Sequence, residues 1–96
     1  MKNLNSIKEI LLKNKQRLTE KYGLSVLAIF GSYSRNQQTE SSDVDILVEF
    51  NKPIGIEFID LAEELEVILN LKVDLVSKKG IKAEYLKSIQ KELEYV

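Results

Sequence analysis

The sequence predicts an α+β fold in which a small mixed β-sheet is covered by helices. Two hydrophobic patterns support this prediction: apolar residues at three-to-four spacing, typical of amphipathic helices, and short apolar runs typical of strands. The patterns follow each other in the order helix, strand, short helix, strand, helix, strand, helix. Because 96 residues provide only one hydrophobic core, we expect a single domain over residues 1–96.

The first half of the chain predicts one long helix and two strands. Helical spacing of leucines and isoleucines predicts a helix over 4–21, with Gly23 as its C-cap. The nearly continuous apolar run 24–30 predicts a strand buried on both faces. For the polar stretch 33–42 we expect a short helix and then a loop. A run with β-branched residues then predicts a second strand over 43–50.

The second half predicts two helices around a third strand. A strong apolar stripe predicts a helix over 56–70, and the run 72–76 predicts the strand. Apolar residues between Tyr85 and Leu93 predict the last helix.

The two long helices carry opposite charges on their polar faces. Helix 4–21 has a mainly basic face, whereas helix 56–70 has five acidic residues and no base opposite its stripe. These acidic residues are Glu57, Asp60, Glu63, Glu64 and Glu66. Each face is either simply solvated or a docking surface for a charged partner, and the pattern does not decide between them.

The composition restricts the chemistry of this chain. It has no Cys and no His, which excludes thiolate nucleophiles, imidazole bases and the usual zinc ligands. The remaining carboxylates favour hard cations such as Mg²⁺. A net charge of −1 gives no reason to expect a direct nucleic-acid partner. Because the N-terminus lacks an apolar signal core and no run is long enough to span a membrane, we expect a cytoplasmic protein without a membrane partner.

The first candidate site is the Gly31-Ser32 pair, which follows the predicted strand 24–30. Glycine allows a backbone to approach a ligand closely, and free amides at a helix N-terminus attract phosphate. The Ser32 hydroxyl adds a further donor. An ordinary helix cap uses the same residue types, so the pair alone leaves both interpretations open.

The second candidate site is a set of three carboxylates on two predicted strands. Asp43 and Asp45 begin strand 43–50, where alternation places both side chains on one face. Asp74 interrupts strand 72–76, where an unpaired carboxylate is costly to bury. If the strands are neighbours, the three carboxylates converge as ligands for one or two Mg²⁺ ions. Taken singly, each Asp is also compatible with a turn or a solvent-exposed position.

The two candidate sites together form a specific pattern. A strand, Gly31-Ser32, ten further residues, Asp43-Val44-Asp45 and a later strand Asp74 resemble the DNA polymerase β-like nucleotidyltransferase superfamily and imply its fold. More narrowly, the whole chain is similar to the minimal nucleotidyltransferase (MNT) domains, small prokaryotic antitoxins to HEPN-domain toxins.

The resemblance implies a role for each residue of this pattern. Gly31 and Ser32 would hold the β- and γ-phosphates of a nucleoside triphosphate, usually ATP. Asp43 and Asp45 would ligate Mg²⁺, of which two ions are expected. Asp74 would complete the metal site and help to deprotonate the acceptor hydroxyl.

Residues between the two motifs carry further expectations from the resemblance. Ser42 would support the metal loop or cap its turn, and Arg35 would screen the triphosphate or contact a partner. The family usually has Gly after this arginine, where this chain has Asn36. Because Asn tolerates positive φ better than other non-glycine residues, we expect the turn to be kept. Tyr33 replaces a residue that is often small or basic, which leaves the local pocket shape open.

The resemblance also implies a function. It predicts a Mg²⁺-dependent protein adenylyltransferase that transfers AMP from ATP to a tyrosine hydroxyl of a HEPN-domain toxin and forms a hetero-oligomer with it. Such a protein would be the antitoxin of a type VII toxin–antitoxin system. Two alternatives stay open: an antitoxin that neutralises the toxin by binding alone, and the catalytic subunit of a small-molecule transferase of the aminoglycoside type.

Overall fold

The computed structural model describes residues 2–96, so that Met1 of the predicted domain lies outside the described residues. Its helices and strands follow the chain in this order: α1 (Leu4–Tyr22), β1 (Leu24–Phe30), β2 (Val44–Phe50), α2 (Glu57–Leu69), β3 (Val73–Ser77), α3 (Ala83–Ile89) and β4 (Glu94–Tyr95). Short 3₁₀ helices flank α3 at Lys78–Gly80 and Gln90–Glu92. The predicted α+β class is confirmed.

The four strands form one mixed sheet in the order β3-β2-β1-β4. Strand β1 runs antiparallel to both of its neighbours, whereas β2 and β3 are parallel. The parallel pair is joined through α2, as a parallel connection requires a crossover rather than a hairpin. The prediction of a small mixed sheet covered by helices is therefore confirmed.

The two faces of the sheet are covered unequally. Helices α1 and α2 pack over one face and form the larger core with buried residues of β1 and β2, among them Ile7, Leu11, Leu61, Leu65, Val44 and Ile46. The other face has a small cluster in which Phe30 and Leu47 pack against Ile89 of α3. The thinner cover leaves part of this second face open at one end of the sheet.

The ends of α1 follow from its flanking residues. Asn3 caps the N-terminus: its side chain accepts a hydrogen bond from the Ser6 N–H, and the Ser6 hydroxyl oxygen accepts one from the Asn3 N–H. Gly23 ends the helix with φ +73°, the left-handed conformation that glycine adopts without strain. The predicted C-cap is confirmed.

Two expectations about secondary structure are wrong. Residues 33–42 form no helix; residues 32–36 make a tight turn instead, closed by a hydrogen bond from the Arg35 N–H to the Gly31 carbonyl. The last helix stops at Ile89, and a fourth strand follows that the sequence did not predict. A strand of two residues is too short to show an alternating pattern, so its pairing with β1 has no signal in the sequence.

The charged faces of the helices are partly satisfied within the chain. Arg17 and Lys21 of α1 form ion pairs with Glu64 of α2, and the Tyr22 hydroxyl donates to the same carboxylate. The Glu66 carboxylate accepts a hydrogen bond from the Val73 N–H. Two of the five acidic residues of α2 therefore stabilise the packing of this chain.

None of the helices within residues 2–96 is both long enough and apolar enough to cross a membrane.

Candidate active site

The candidate site lies where β1 ends and β2 and β3 begin. Asp45 is paired with Phe30 of β1 on one side and with Asp74 of β3 on the other. Side chains at paired positions of neighbouring strands point to the same face. Because Phe30 packs against α3, both carboxylates lie on the thinly covered face of the sheet.

Asp45 is the carboxylate most perturbed by this arrangement. Partial burial, followed by repulsion from Asp74 and a hydrogen bond that protonated Asp45 can donate to the Asp74 carboxylate, raises the pKa of Asp45 from 3.8 to about 6. Asp43 contributes further repulsion, while Arg35 acts in the opposite direction. Two acidic groups that share a site in this way hold one proton between them more readily than either does alone.

Asp43 lies just outside the strand that the sequence predicted to include it. It is exposed and lies one residue before β2, which begins at Val44 rather than at residue 43. Within residues 2–96, no group of three or more potential metal-binding side chains is arranged to hold an ion. The structure therefore brings together Asp45 and Asp74, with Asp43 close enough to interact electrostatically but outside the pair.

Gly31 is required by the position of the Asp45 carboxylate. A Cβ atom at residue 31 would lie 1.9 Å from Asp45 Oδ2, closer than any real contact. Gly31 also has φ +76°, which L side chains rarely adopt. The group that the Gly31 backbone approaches closely in the structure is therefore the Asp45 carboxylate.

The turn after Gly31 presents free backbone donors. Within residues 2–96, the N–H groups of Ser32, Tyr33 and Ser34 have no acceptor, whereas the Gly31 carbonyl accepts from the Arg35 N–H and the Ser34 hydroxyl. Consecutive free amides after a left-handed residue form a concave cradle for an anion. Asn36 completes the turn with φ +59°, which confirms that Asn replaces the usual glycine here.

Glu92 is a site residue that the sequence analysis missed. Its Oε1 accepts the Gly31 N–H at 3.1 Å, and its Oε2 accepts from Arg35 Nη1 at 2.7 Å. Arg35 also donates from Nε to Gln37 Oε1 at 3.1 Å. Glu92 lies about sixty positions along the chain from these partners, in a segment without a motif, so no pattern in one sequence could have indicated it.

An open cleft of about 380 Å³ lies beside these groups, between the turn and α3. Arg35, Asp45, Glu92 and Tyr85 are among the residues that line it. The Tyr85 ring packs edge-on against Phe30, with 6.3 Å between centroids. Burial, then the charges of Asp45 and Asp74, raise the pKa of the Tyr85 hydroxyl above its ordinary value.

Ser42 lies in the loop that leads to β2. Its hydroxyl oxygen accepts a hydrogen bond from the Thr39 N–H at 2.9 Å, and its own N–H donates to the Thr39 carbonyl at 3.1 Å. These contacts close a turn, in agreement with the turn-capping alternative for this residue.

The sequence matches the family described as "Nucleotidyltransferase domain" over residues 7–96, and the chain belongs to this family. It is therefore an enzyme of the nucleotidyltransferase class, as the motif predicted.

Two relatives match along almost their whole length. A Methanocaldococcus jannaschii protein, provisionally named a protein adenylyltransferase, is 53% identical over 100 residues and covers 100% of both chains. The protein adenylyltransferase MntA of Thermococcus cleftensis is 43% identical over 97 residues, covering 100% of this chain and 98% of its own. These matches confirm the resemblance to MNT proteins.

Two solved structures share the fold. A toxin–antitoxin structure with AMP-PNP matches with a TM-score of 0.72 and 27% identity, covering 98% of this chain and 72% of that chain. A complex of a tri-AMPylated Shewanella oneidensis HEPN toxin with its MNT antitoxin matches with a TM-score of 0.62 and 26% identity, covering 97% and 67%.

Proposed function

We propose that this chain is a Mg²⁺-dependent protein adenylyltransferase that transfers AMP from ATP to a tyrosine hydroxyl of a HEPN-domain toxin. It would thereby act as a cytoplasmic type VII antitoxin, with residues 1–96 as one MNT domain. The observation that carries the proposal is the Asp45–Asp74 pair beside the free amides of the turn. The adenylyltransferase names of relatives and the HEPN toxin in a similar structure support the choice of substrate and partner.

The turn 31–36 is suited to bind the triphosphate. Free amides and the Ser32 hydroxyl supply neutral donors, and Arg35 supplies the cationic group nearest to them. Charge-assisted hydrogen bonds from a guanidinium to phosphate oxygens are stronger than neutral ones, so Arg35 would contribute both affinity and orientation. Ser42 would act indirectly, by closing the turn that leads to Asp43.

The carboxylates are chemically suited to magnesium. Asp45 and Asp74 are oxygen ligands whose mutual repulsion a divalent cation would relieve, and the nearby Asp43 carboxylate, which also repels Asp45, would be a further candidate ligand. When bound, magnesium would neutralise charge on the phosphates and lower the pKa of the acceptor hydroxyl.

The transfer step is an in-line displacement at the α-phosphorus. The acceptor oxygen forms a bond to this phosphorus while the bond to the bridging oxygen of pyrophosphate breaks, and pyrophosphate leaves. The hydroxyl proton passes to the Asp74 carboxylate, which is solvent-exposed and can release it. The protein contributes positioning and electrostatic stabilisation, so no imidazole base is needed.

The acceptor is best supplied by another protein. The cleft is open, and the chain has no further layer of structure within residues 2–96 to enclose a small alcohol. A partner protein can instead present a hydroxyl on its own surface and exclude water as it docks.

Incubation with Mg²⁺, α-labelled ATP and a purified HEPN-domain partner tests the proposal. We expect label on a partner tyrosine, and none when the chain carries Asp45→Asn. A stable complex without label would instead indicate neutralisation by binding alone, and label on an added aminoglycoside would indicate a small-molecule transferase. Either result would contradict the proposal.

A further inference from the structure

Glu92 links the two parts of the turn proposed to bind phosphate. One carboxylate oxygen accepts the Gly31 N–H, and the other forms an ion pair with Arg35 at 2.7 Å. The Glu92 side chain is only 19% exposed, so this ion pair is less screened by water than a surface pair. Both oxygens are used, and each holds a group of the candidate site.

The C-terminal segment fixes the position of Glu92. The residue ends the 3₁₀ helix Gln90–Glu92, and only Leu93 separates it from β4. Strand β4 pairs with Ala28 and Ile29 of β1, and the Val96 N–H donates to the Leu27 carbonyl at 3.0 Å. The carboxylate is thereby attached to the same strand whose end forms the turn.

We propose that Glu92 is a positioning residue for nucleotide binding, acting through Gly31 and Arg35. This inference rests on the proposed function. By accepting the Gly31 N–H, Glu92 holds the residue at which the chain turns into the amide cradle. By accepting from Arg35 Nη1, it holds the guanidinium at the edge of the cleft.

The hydrogen-bond inventory favours positioning over competition with the nucleotide. A guanidinium has five N–H donors, of which Glu92 and Gln37 engage one each, so three remain for phosphate oxygens. Glu92 takes the Gly31 amide but leaves the three following amides of the turn free within residues 2–96. A competing carboxylate would instead occupy those amides.

Substitution at residue 92 tests the inference, with Glu94→Gln as the matched control. Glu94 lies two positions further on and pairs with Lys8 at 3.6 Å rather than with the turn. The probe is AMP-PNP with Mg²⁺, measured by calorimetry, together with KM and kcat for ATP. For Glu92→Ala we expect binding weaker by about tenfold or more and a KM that rises more than kcat falls.

Glu92→Gln separates the charge of this residue from its shape. The amide oxygen can still accept one of the two hydrogen bonds, so we expect an affinity between those of the wild type and Glu92→Ala. Thermal unfolding of each variant identifies a general loss of folding. If affinity fell only in proportion to the unfolded fraction, Glu92 would be merely structural and the inference would be wrong.

Combination with Arg35→Ala tests whether Glu92 acts through this arginine. We expect the two losses of affinity to be clearly less than additive in the double variant. Fully additive losses, or AMP-PNP binding by Glu92→Ala that equals or exceeds that of the wild type, would overturn the inference. If the wild type transfers AMP and Glu92→Ala has the same KM, only this inference fails; if the wild type neither binds AMP-PNP nor transfers AMP, the proposed function fails with it.

Discussion

Asp45 and Asp74 occupy directly paired positions on the parallel strands β2 and β3. Partial burial is the main cause of the raised pKa of Asp45, and repulsion from the Asp74 carboxylate adds to it. Without a cation the pair destabilises the folded state at neutral pH. A pair of like charges that destabilises the folded state is typical of functional sites, where the activity requires both groups.

Replacing Asp45 by Asn should therefore separate stability from activity. At pH 8 with a chelator, we expect Asp45→Asn to raise the free energy of unfolding by about 1–2 kcal/mol, a value discounted for partial exposure. With Mg²⁺ and ATP, transfer should fall by at least about 100-fold. Denaturant unfolding and the labelling assay measure the two effects. Asp60→Asn, which removes an exposed acid of α2, is the control and should change neither appreciably.

The stability difference between wild type and Asp45→Asn should depend on pH. Because the pKa of Asp45 is about 6 in the folded protein and near 3.8 when unfolded, protonation favours folding. The wild type loses this contribution as the pH rises from about 4 through 6, so the advantage of Asp45→Asn should be small at pH 4.5 and largest above pH 7. Chelator-treated unfolding curves across this range measure it. A constant difference would show that Asp45 does not titrate as described.

Gly31 should not tolerate even alanine. The added Cβ would collide with the Asp45 carboxylate and would sit at a φ of +76°, so we expect Gly31→Ala to cost about 2 kcal/mol or more and to abolish transfer. Gly55→Ala is the matched control because its Cβ would meet nothing closer than 3.6 Å. Thermal unfolding and the labelling assay compare them. Equal stability of both variants would contradict the close approach.

The sequence predicted those parts of the candidate site that are recognisable from neighbouring residues in the chain. It did not predict the parts that depend on contacts between distant segments. Gly31 and Asp45 are unusual in their own segments, a glycine at the end of a buried strand and an acid within an apolar one, so each is a candidate that the combined pattern then makes specific. The β4 strand and Glu92 gain their roles only by pairing with residues about sixty positions away. The turn after Gly31 was expected to be helical because polar residues without a strand pattern fit both structures.

Glu64 should produce the opposite pH dependence to Asp45. Although partial burial alone would raise its pKa, hydrogen bonds from Arg17, Lys21 and Tyr22 lower it to about 2. The folded state therefore favours the charged form, and this stability is present above about pH 4.5 and lost as the pH falls towards 2.

Glu64→Gln should consequently be less stable than the wild type at pH 7, by about 1–2 kcal/mol, because its partners are half exposed. This difference in the free energy of unfolding should disappear between about pH 4.5 and 2. The stability effect of Asp45 changes almost entirely above this pH range. Glu63→Gln, at an exposed neighbouring position of α2, is the control and should show no such gap. Denaturant unfolding at pH 7, 4 and 2.5 measures the three proteins. If the gap persisted unchanged at pH 2.5, the cluster would stabilise the contact of α1 with α2 through packing rather than charge.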